Sequence, residues 1–154
     1  MFQEMKLIAH RGNVYGPNLE RENTQSYIEE ALAAGYDVEV DVWYNTQNGE
    51  FYLGHDNPIE PIQVEFLRKT QLWCHAKDIT ALASLLQIGA HCFIHEKDPA
   101  TLTSHGKIWT YPGKRLMPDA ICVLPEMFYD GNLKDCYGIC SDYVNKYEYL
   151  NKEK

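Results

Sequence analysis

The chain has 154 residues, enough for one domain that spans residues 1–154 and buries a sizeable core. Its 14 basic and 22 acidic residues give a formal net charge of −8, which argues against nonspecific binding of nucleic acid or of an anionic membrane surface. No apolar run approaches the roughly 18 residues of a transmembrane helix, and the N-terminal segment has no basic region followed by an apolar stretch. We therefore expect a cytoplasmic protein without stable membrane insertion.

The first predicted elements are a short strand and a helix. Residues 6–10 form a buried strand that ends at the sequence His10-Arg11-Gly12. A loop follows to Asn23, a residue type that often precedes a helix and caps its N-terminus. The apolar residues of the next segment share one helical face, and Gly35 is suited to end that helix.

An acidic strand follows the helix and carries the strongest local pattern of the chain. Three valines alternate there with three acids: Val38, Val40 and Val42 with Asp37, Glu39 and Asp41. The valines therefore face one side of the strand and the acids the other. Residues two apart on a strand lie roughly 6.6 Å apart and point the same way, so Glu39 and Asp41 can converge on one ion. A cation would relieve the repulsion between them.

The next segment returns toward this acidic face. Asn48-Gly49 predicts a two-residue hairpin turn. In that register His55 lies opposite Val42 and next to Asp41. The strand and the hairpin together predict a metal site with a titrating base beside it.

The remaining elements alternate between helices and strands. Pro61 opens a predicted short helix that ends near Thr70, residues 72–77 form a strand, and Asp78 caps an amphipathic helix that ends at Gly89. Four further strands are predicted at 91–95, 108–111, 121–124 and 137–141.

This alternation indicates an α/β fold built from parallel βαβ units. We expect a reduced or distorted (β/α) barrel of the TIM type, with about seven to eight mostly parallel strands. Such barrels usually have at least about 200 residues, so loops should replace some of the helices here. An open, doubly wound sheet is the competing architecture.

The motifs resemble those of the glycerophosphodiester phosphodiesterase family, within the superfamily of phospholipase C-like phosphodiesterase barrels. Over about residues 6–57 they occur in the family's order: His10-Arg11-Gly12, Glu22-Asn23-Thr24, Glu39-x-Asp41, Thr46-x-x-Gly49 and His55-Asp56. The chain departs from the family pattern in four respects, the first of which is a spacing from His10 to Glu22 that is longer by a few residues. Arg21 stands where proline is common, His75 takes the place of a glutamate, and the helical insertion after the hairpin is missing.

The resemblance implies one divalent cation held by Glu22, Glu39 and Asp41, with His75 in the place of the usual glutamate ligand. Oxygen donors of this kind suit Mg²⁺ or Ca²⁺, and an imidazole in the ligand set would also admit Mn²⁺. From the residues alone, His75 is open to three interpretations: a ligand, a substrate contact or a core histidine.

The resemblance also implies that His10 and His55 are the acid/base pair and that Arg11 and Lys77 lie near the phosphate. We expect His55 to act as the acid and His10 as the base. Trp109 alternates with a tyrosine along a predicted strand, where it would either line a substrate pocket or pack in the core.

The function that this resemblance predicts is metal-dependent hydrolysis of a glycerophosphodiester or a similar small phosphodiester in lipid metabolism. Two alternatives stay open: a lyase of the same superfamily that forms a cyclic phosphate, and a catalytically silent protein that binds a phosphorylated metabolite. The expected partner is a small phosphodiester and not a nucleic acid. A homodimer that covers an apolar patch in the helix-poor second half is a further alternative.

Overall fold

The structure is a computed structural model that describes residues 4–128 and 131–152. The strands of these residues, β1 to β10 in chain order, are Lys6–His10, Asp37–Asn45, Glu50–Leu53, Glu60–Ile62, Leu72–Ala76, Cys92–Phe93, Ala100–Leu102, Ile108–Thr110, Ala120–Val123 and Gly138–Ser141. The helices, α1 to α5, are Gln25–Ala33, Val64–Leu67, Ile79–Gln87, Pro125–Phe128 and Tyr149–Lys152, and 3₁₀ turns cover Leu133–Asp135 and Val144–Tyr147.

The strands form one mixed sheet. Strand β1 pairs in parallel with β2 and β10, and further parallel pairs join β2 to β5, β5 to β6, β10 to β9 and β9 to β8. Antiparallel pairs join β2 to β3, β3 to β4 and β7 to β8. Strand β2 thus has three partners, more than any other described strand.

The predicted (β/α) barrel is wrong. A barrel of that kind needs a helix after each strand and a ladder that closes the circle. In the described part of the chain, β4, β6 and β7 instead have one partner each and end the pairings, and three of the pairings are antiparallel. Only α1 and α3 reach nine residues. The physical cause is the short connections after β2, β3 and β7, which permit hairpins but leave no room for a crossover helix.

The two faces of β2 lie in different surroundings. Val38, Val40 and Val42 are fully buried in an apolar cluster that includes residues of α1 and α3. Burial of each such side chain stabilises the fold by about 1.5–3 kcal/mol. On the other face, Glu39 pairs with a residue of a second buried cluster, which contains Ile8, Trp73, Phe93, Trp109, Ile121, Val123 and Cys140.

The β2–β3 turn is wider than the predicted two-residue turn at Asn48-Gly49. Asn45 pairs with Glu50, so the loop has four residues. The side-chain oxygen of Asn45 accepts hydrogen bonds from the backbone N–H groups of Gln47 at 2.8 Å and Asn48 at 3.3 Å. These bonds stabilise the wider turn. From the local sequence pattern, asparagine in such a turn cannot be distinguished from asparagine in a tighter hairpin.

The wider turn moves the hairpin register by two residues. Val42 pairs with Leu53 and not with His55 as predicted. A move of two residues keeps every side chain on its own face of the strand. His55 therefore still comes close to Asp41, although it lies beyond the end of β3.

Several predicted element boundaries also differ from those observed. The segment predicted as one helix over residues 61–70 contains the end of β4 and the four-residue α2. Strand β6 has two residues where five were predicted, and β4 and β7 were missed. The start of α3 was predicted correctly, because Asp78 accepts a hydrogen bond from the backbone N–H of Ala81 at 2.8 Å.

Candidate functional site

Two neighbouring strands bring three potential metal ligands together. Glu39 and Asp41 lie on the same face of β2 and are 2% and 1% exposed. In the register of β2 and β5, Asp41 is paired with His75. One ligand atom from each of the three residues lies within 4.8 Å of the other two. Both strands are internal to the sheet, since β2 also pairs with β1 and β5 also pairs with β6.

The two carboxylates respond differently to burial. Burial, together with the negative charge of Asp41, raises the pKa of Glu39 above its ordinary value. Burial also acts to raise the pKa of Asp41, but hydrogen bonds from His55 and His75 and the charge of Lys77 outweigh it and hold that pKa well below its ordinary value. Asp41 is thus ionised and Glu39 is the carboxylate that would gain most from a cation.

The ring of His75 offers Nδ1 to a cation, which would displace the proton that Nδ1 donates to Asp41 here. Its Nε2 donates to the backbone carbonyl of His95 at 3.0 Å, while Nδ1 lies 3.1 Å from Asp41 Oδ1 and 3.8 Å from Glu39 Oε2. A carbonyl that accepts from the far nitrogen is a common support for a metal-binding histidine. Two carboxylates and an imidazole held in this way fit a divalent cation, although they do not identify which one.

His10 ends β1 beside the triad. Its Nδ1 lies 2.7 Å from Asp142 Oδ1, and its Nε2 lies 3.7 Å from Glu39 Oε1. Burial acts to lower the pKa of His10, but the hydrogen bond to Asp142 and the charges of both carboxylates raise it above its ordinary value. Strand β10 ends at Ser141, which pairs with Ala9 of β1. The residues that follow this pair therefore lie side by side, and Asp142 is placed next to His10.

His55 lies on the other side of the triad, with a side chain that is 45% exposed. Its Nδ1 is 3.2 Å from Asp41 Oδ2 and its Nε2 is 3.3 Å from a terminal nitrogen of Arg11. A guanidinium can only donate, so Nε2 accepts and Nδ1 carries the proton that is donated to Asp41.

Arg11 connects the triad to Glu22. Its Nε lies 3.4 Å from Asp41 Oδ2, and its NH1 lies 3.3 Å from Glu22 Oε1. The structure does not bring Glu22 into the triad, because Arg11 lies between them. Metal ligation by Glu22 stays a prediction that would require Arg11 to move. Lys77 is close to the triad, with its Nζ 3.7 Å from Asp41 Oδ1.

Three polar residues of the site were not identified as such from the sequence. Asn23, predicted as a helix cap, donates to Asp41 Oδ2 at 3.0 Å and accepts from the Asp41 backbone at 2.9 Å. Asn13 donates to Asp142 and to Glu22, both at 3.0 Å. For Asp142 the signal was its position directly after the end of β10, and for Asn13 it was the short loop that begins three residues before it at the end of β1, since polar side chains there reach the carboxyl edge of a parallel sheet.

Trp109 is not brought to the site surface. It is 4% exposed and packs against Phe93, with ring centroids 4.5 Å apart, and against Trp73 at 5.8 Å. This is the core-packing alternative that the sequence left open. The ring of Phe93 also stacks on His75 at 5.0 Å, so Trp109 supports the ring of His75 indirectly.

Family models, curated proteins and solved structures give no match to this chain. The similarity to glycerophosphodiester phosphodiesterases therefore stays a prediction that rests on the motifs and on their positions in the site. Among the described residues, none of the helices is both long and apolar enough to span a membrane.

Proposed function

We propose that this chain is a metal-dependent phosphodiesterase that hydrolyses a glycerophosphodiester or a similar small phosphodiester. The observation that carries the proposal is the triad of Glu39, Asp41 and His75, with His10 beside Glu39 and His55 beside Asp41. A solvated acidic strand would not bury both carboxylates or surround them with three histidines.

The groups around the triad match the two difficulties of phosphodiester hydrolysis. The phosphate anion repels the attacking oxygen, and the leaving alkoxide is poor. A divalent cation would supply a Lewis acid that offsets the negative charge. Arg11 and Lys77 add positive charge at the same place, and a planar guanidinium suits the two non-bridging oxygens of the phosphate.

The histidine contacts favour a definite division of roles. His55 Nε2 accepts from Arg11 here, and it would take a proton from the attacking water once Arg11 turns to the phosphate. His10, paired with Asp142, is suited to hold a proton and to pass it to the leaving oxygen. This order is the reverse of the one expected from the sequence.

Activity assays with defined substrates test the proposal. Glycerophosphodiesters and bis(4-nitrophenyl) phosphate should be turned over with Mg²⁺, Mn²⁺ or Ca²⁺ and not after chelation. The products of the glycerophosphodiesters, followed by ³¹P NMR, should be a monoester and an alcohol. A cyclic phosphate would point to the lyase, and no turnover with any metal would favour the silent binding protein.

Histidine variants test the division of roles. His10→Ala and His55→Ala should each lower turnover of an alkyl diester by roughly 10²-fold or more, whereas His105→Ala, an exposed histidine elsewhere, should not. A nitrophenolate leaving group needs no protonation. A substrate that carries it should therefore restore the turnover of His10→Ala but not that of His55→Ala. Equal losses with both leaving groups would contradict the acid/base assignment.

The proposed location is the cytoplasm. All five cysteines are free and buried, which is the state that a reducing compartment maintains.

A further inference from the structure

A cleft lies on the β2–β3 hairpin beside the triad. Trp43 is two residues beyond Asp41, so the two side chains leave β2 on the same face. Across the hairpin Trp43 pairs with Tyr52. The cleft has a volume of about 310 Å³ and is lined by Trp43, Tyr44, Asn45, Thr46, Gln47, Tyr52 and Pro58.

The indole of Trp43 is fixed next to the proposed base. Its Nε1 donates a hydrogen bond to the backbone carbonyl of Gly54 at 2.6 Å, and His55 follows directly. The other two tryptophans of the chain, Trp73 and Trp109, are 3% and 4% exposed, whereas Trp43 is only partly buried. An aromatic side chain held in one orientation at the edge of a catalytic site offers a flat binding surface at little cost in side-chain entropy.

We infer that this cleft is a subsite for a neutral sugar ring carried by one alcohol of the phosphodiester. This inference rests on the proposed function, because it places the ring beside a phosphate held near Arg11 and Lys77. The lining combines aromatic rings with amide and hydroxyl groups and contains no charged side chain. A pyranose has the matching chemistry, with an apolar C–H face that stacks on a ring and hydroxyl groups around its edge that bind neutral polar side chains.

The surroundings disfavour other occupants. Glu50 and Asp56 are exposed nearby, and the chain has a net charge of −8, so an anionic or nucleic acid ligand would be repelled. An acyl chain would require a continuous apolar surface, which Asn45, Thr46 and Gln47 interrupt. A nucleobase could stack on Trp43, and the experiment below separates it from a sugar.

A binding experiment that needs no catalysis tests the subsite. Methyl β-D-glucopyranoside, at millimolar concentrations, is added to the ¹⁵N-labelled full chain, and the three indole N–H signals are followed by NMR. The Trp43 signal, assigned by its loss in Trp43→Phe, should move in a saturable way while those of Trp73 and Trp109 stay in place. No movement of the Trp43 signal, or movement with adenosine but not with the glucoside, would overturn the inference.

A second variant tests the cleft and leaves the hydrogen bond between Trp43 and Gly54 intact. Tyr52→Ala removes half of the aromatic pair and should weaken glucoside binding at least tenfold, with unchanged circular dichroism. Tyr111→Ala, which removes a 39% exposed aromatic side chain outside the cleft, is the matched control and should bind as the wild type does. Equal affinity for Tyr52→Ala and the wild type would contradict a site built on this pair.

Kinetics then separate the subsite from the proposed function. A glucosyl phosphodiester should have a KM at least tenfold lower than the matching methyl phosphodiester, and Tyr52→Ala should remove that difference. Glucoside binding without any turnover would support the subsite and contradict the phosphodiesterase. Turnover without glucoside binding or a glucosyl preference would support the phosphodiesterase and contradict the subsite.

Discussion

Asp41 is the most heavily contacted carboxylate of the site. Arg11, His55, His75 and Lys77 all lie within 3.7 Å of its oxygens. In the proposed site its negative charge would have two uses: it would attract a cation, and it would orient the groups that act on the substrate. Asp41→Asn keeps the shape of this side chain and removes its charge. It therefore tests the role of the charge without a change in packing.

We predict that Asp41→Asn lowers the affinity for Mn²⁺ or Mg²⁺ by at least about tenfold, because an amide oxygen is a weaker ligand than a carboxylate. Isothermal titration calorimetry provides the measurement. Glu50→Gln removes an exposed carboxylate from the same hairpin and should leave the affinity unchanged. Wild-type affinity in Asp41→Asn would remove this residue from the ligand set.

Asp142 is predicted to be a positioning residue that acts through His10. Asp142→Asn should lower kcat for an alkyl diester by about 10- to 100-fold, because an amide neither orients His10 as strongly nor favours its protonated form. The loss should be much smaller with a nitrophenolate leaving group, which does not need the acid. A merely structural role would give the same loss with both substrates, so the comparison of leaving groups decides between the two roles.

The sequence predicted the site residues that lie in local motifs and missed those that depend on the fold. His10, Glu39 and Asp41 belong to short patterns with a clear periodicity. Asp142 is 132 positions from His10 in the chain, and only the pairing of β1 with β10 brings it near. Asn23 has an ordinary local explanation as a helix cap, although Thr24 fills that position.

At the scale of elements, the turn after β3 holds His55 in place. Gly54 has a φ of 154°, and a Cβ added there would lie 1.9 Å from the carbonyl oxygen of Asn57. No side chain fits at that distance, so the turn would have to open. The carbonyl of Gly54 also accepts the hydrogen bond from Trp43, and its N–H donates to the carbonyl of Asp41 at 3.2 Å.

Gly54→Ala should therefore destabilise the protein by at least about 2 kcal/mol and should also impair turnover. Gly89→Ala is the matched control, because its φ of 77° is also positive but a Cβ would meet nothing within 4 Å. The control substitution should lower the free energy of unfolding by only about 1 kcal/mol and should leave turnover intact. Urea denaturation gives both free energies of unfolding, and similar values for the two variants would contradict the proposed clash.

At the scale of the whole molecule, a histidine away from the site makes stability depend on pH. His91 is 5% exposed, stacks on His105 with centroids 4.2 Å apart, and lies 2.8 Å from the hydroxyl of Thr103. Burial, together with the neighbouring His105, lowers the pKa of His91 to about 4. In the unfolded chain this histidine has a pKa near 6.5. Between about pH 4 and about pH 6.5 the unfolded state therefore binds more protons than the folded state, and the free energy of unfolding falls as the pH falls.

We predict that this histidine alone destabilises the fold by about 2 kcal/mol between pH 7 and pH 5. The test compares urea denaturation of the wild type and of His91→Asn at both values, so that contributions from the candidate site cancel. The stability difference between the two proteins should shrink by that amount at pH 5. A difference that does not change with pH would mean that His91 is protonated equally in both states.

The overall architecture was harder to predict than its parts because local patterns do not report how a sheet ends. Strand β1 and helix α3 follow from hydrophobic periodicity and a cap. The turn at Asn45 is two residues longer than the predicted one, and the other two antiparallel pairs involve β4 and β7, which the sequence did not predict. The short strands β4 and β7 have too few residues to show any periodicity.

The full burial of Glu39 has a consequence for how the protein tolerates change. A carboxylate whose pKa is raised is one whose charged form the folded chain disfavours, so Glu39→Gln should melt at a higher temperature than the wild type when no metal is added. Saturating Mn²⁺ should reverse that ranking, since it stabilises only the protein that binds it. Selection for thermal robustness alone would therefore favour the loss of this carboxylate, and its retention would point to a use such as binding of the proposed ion.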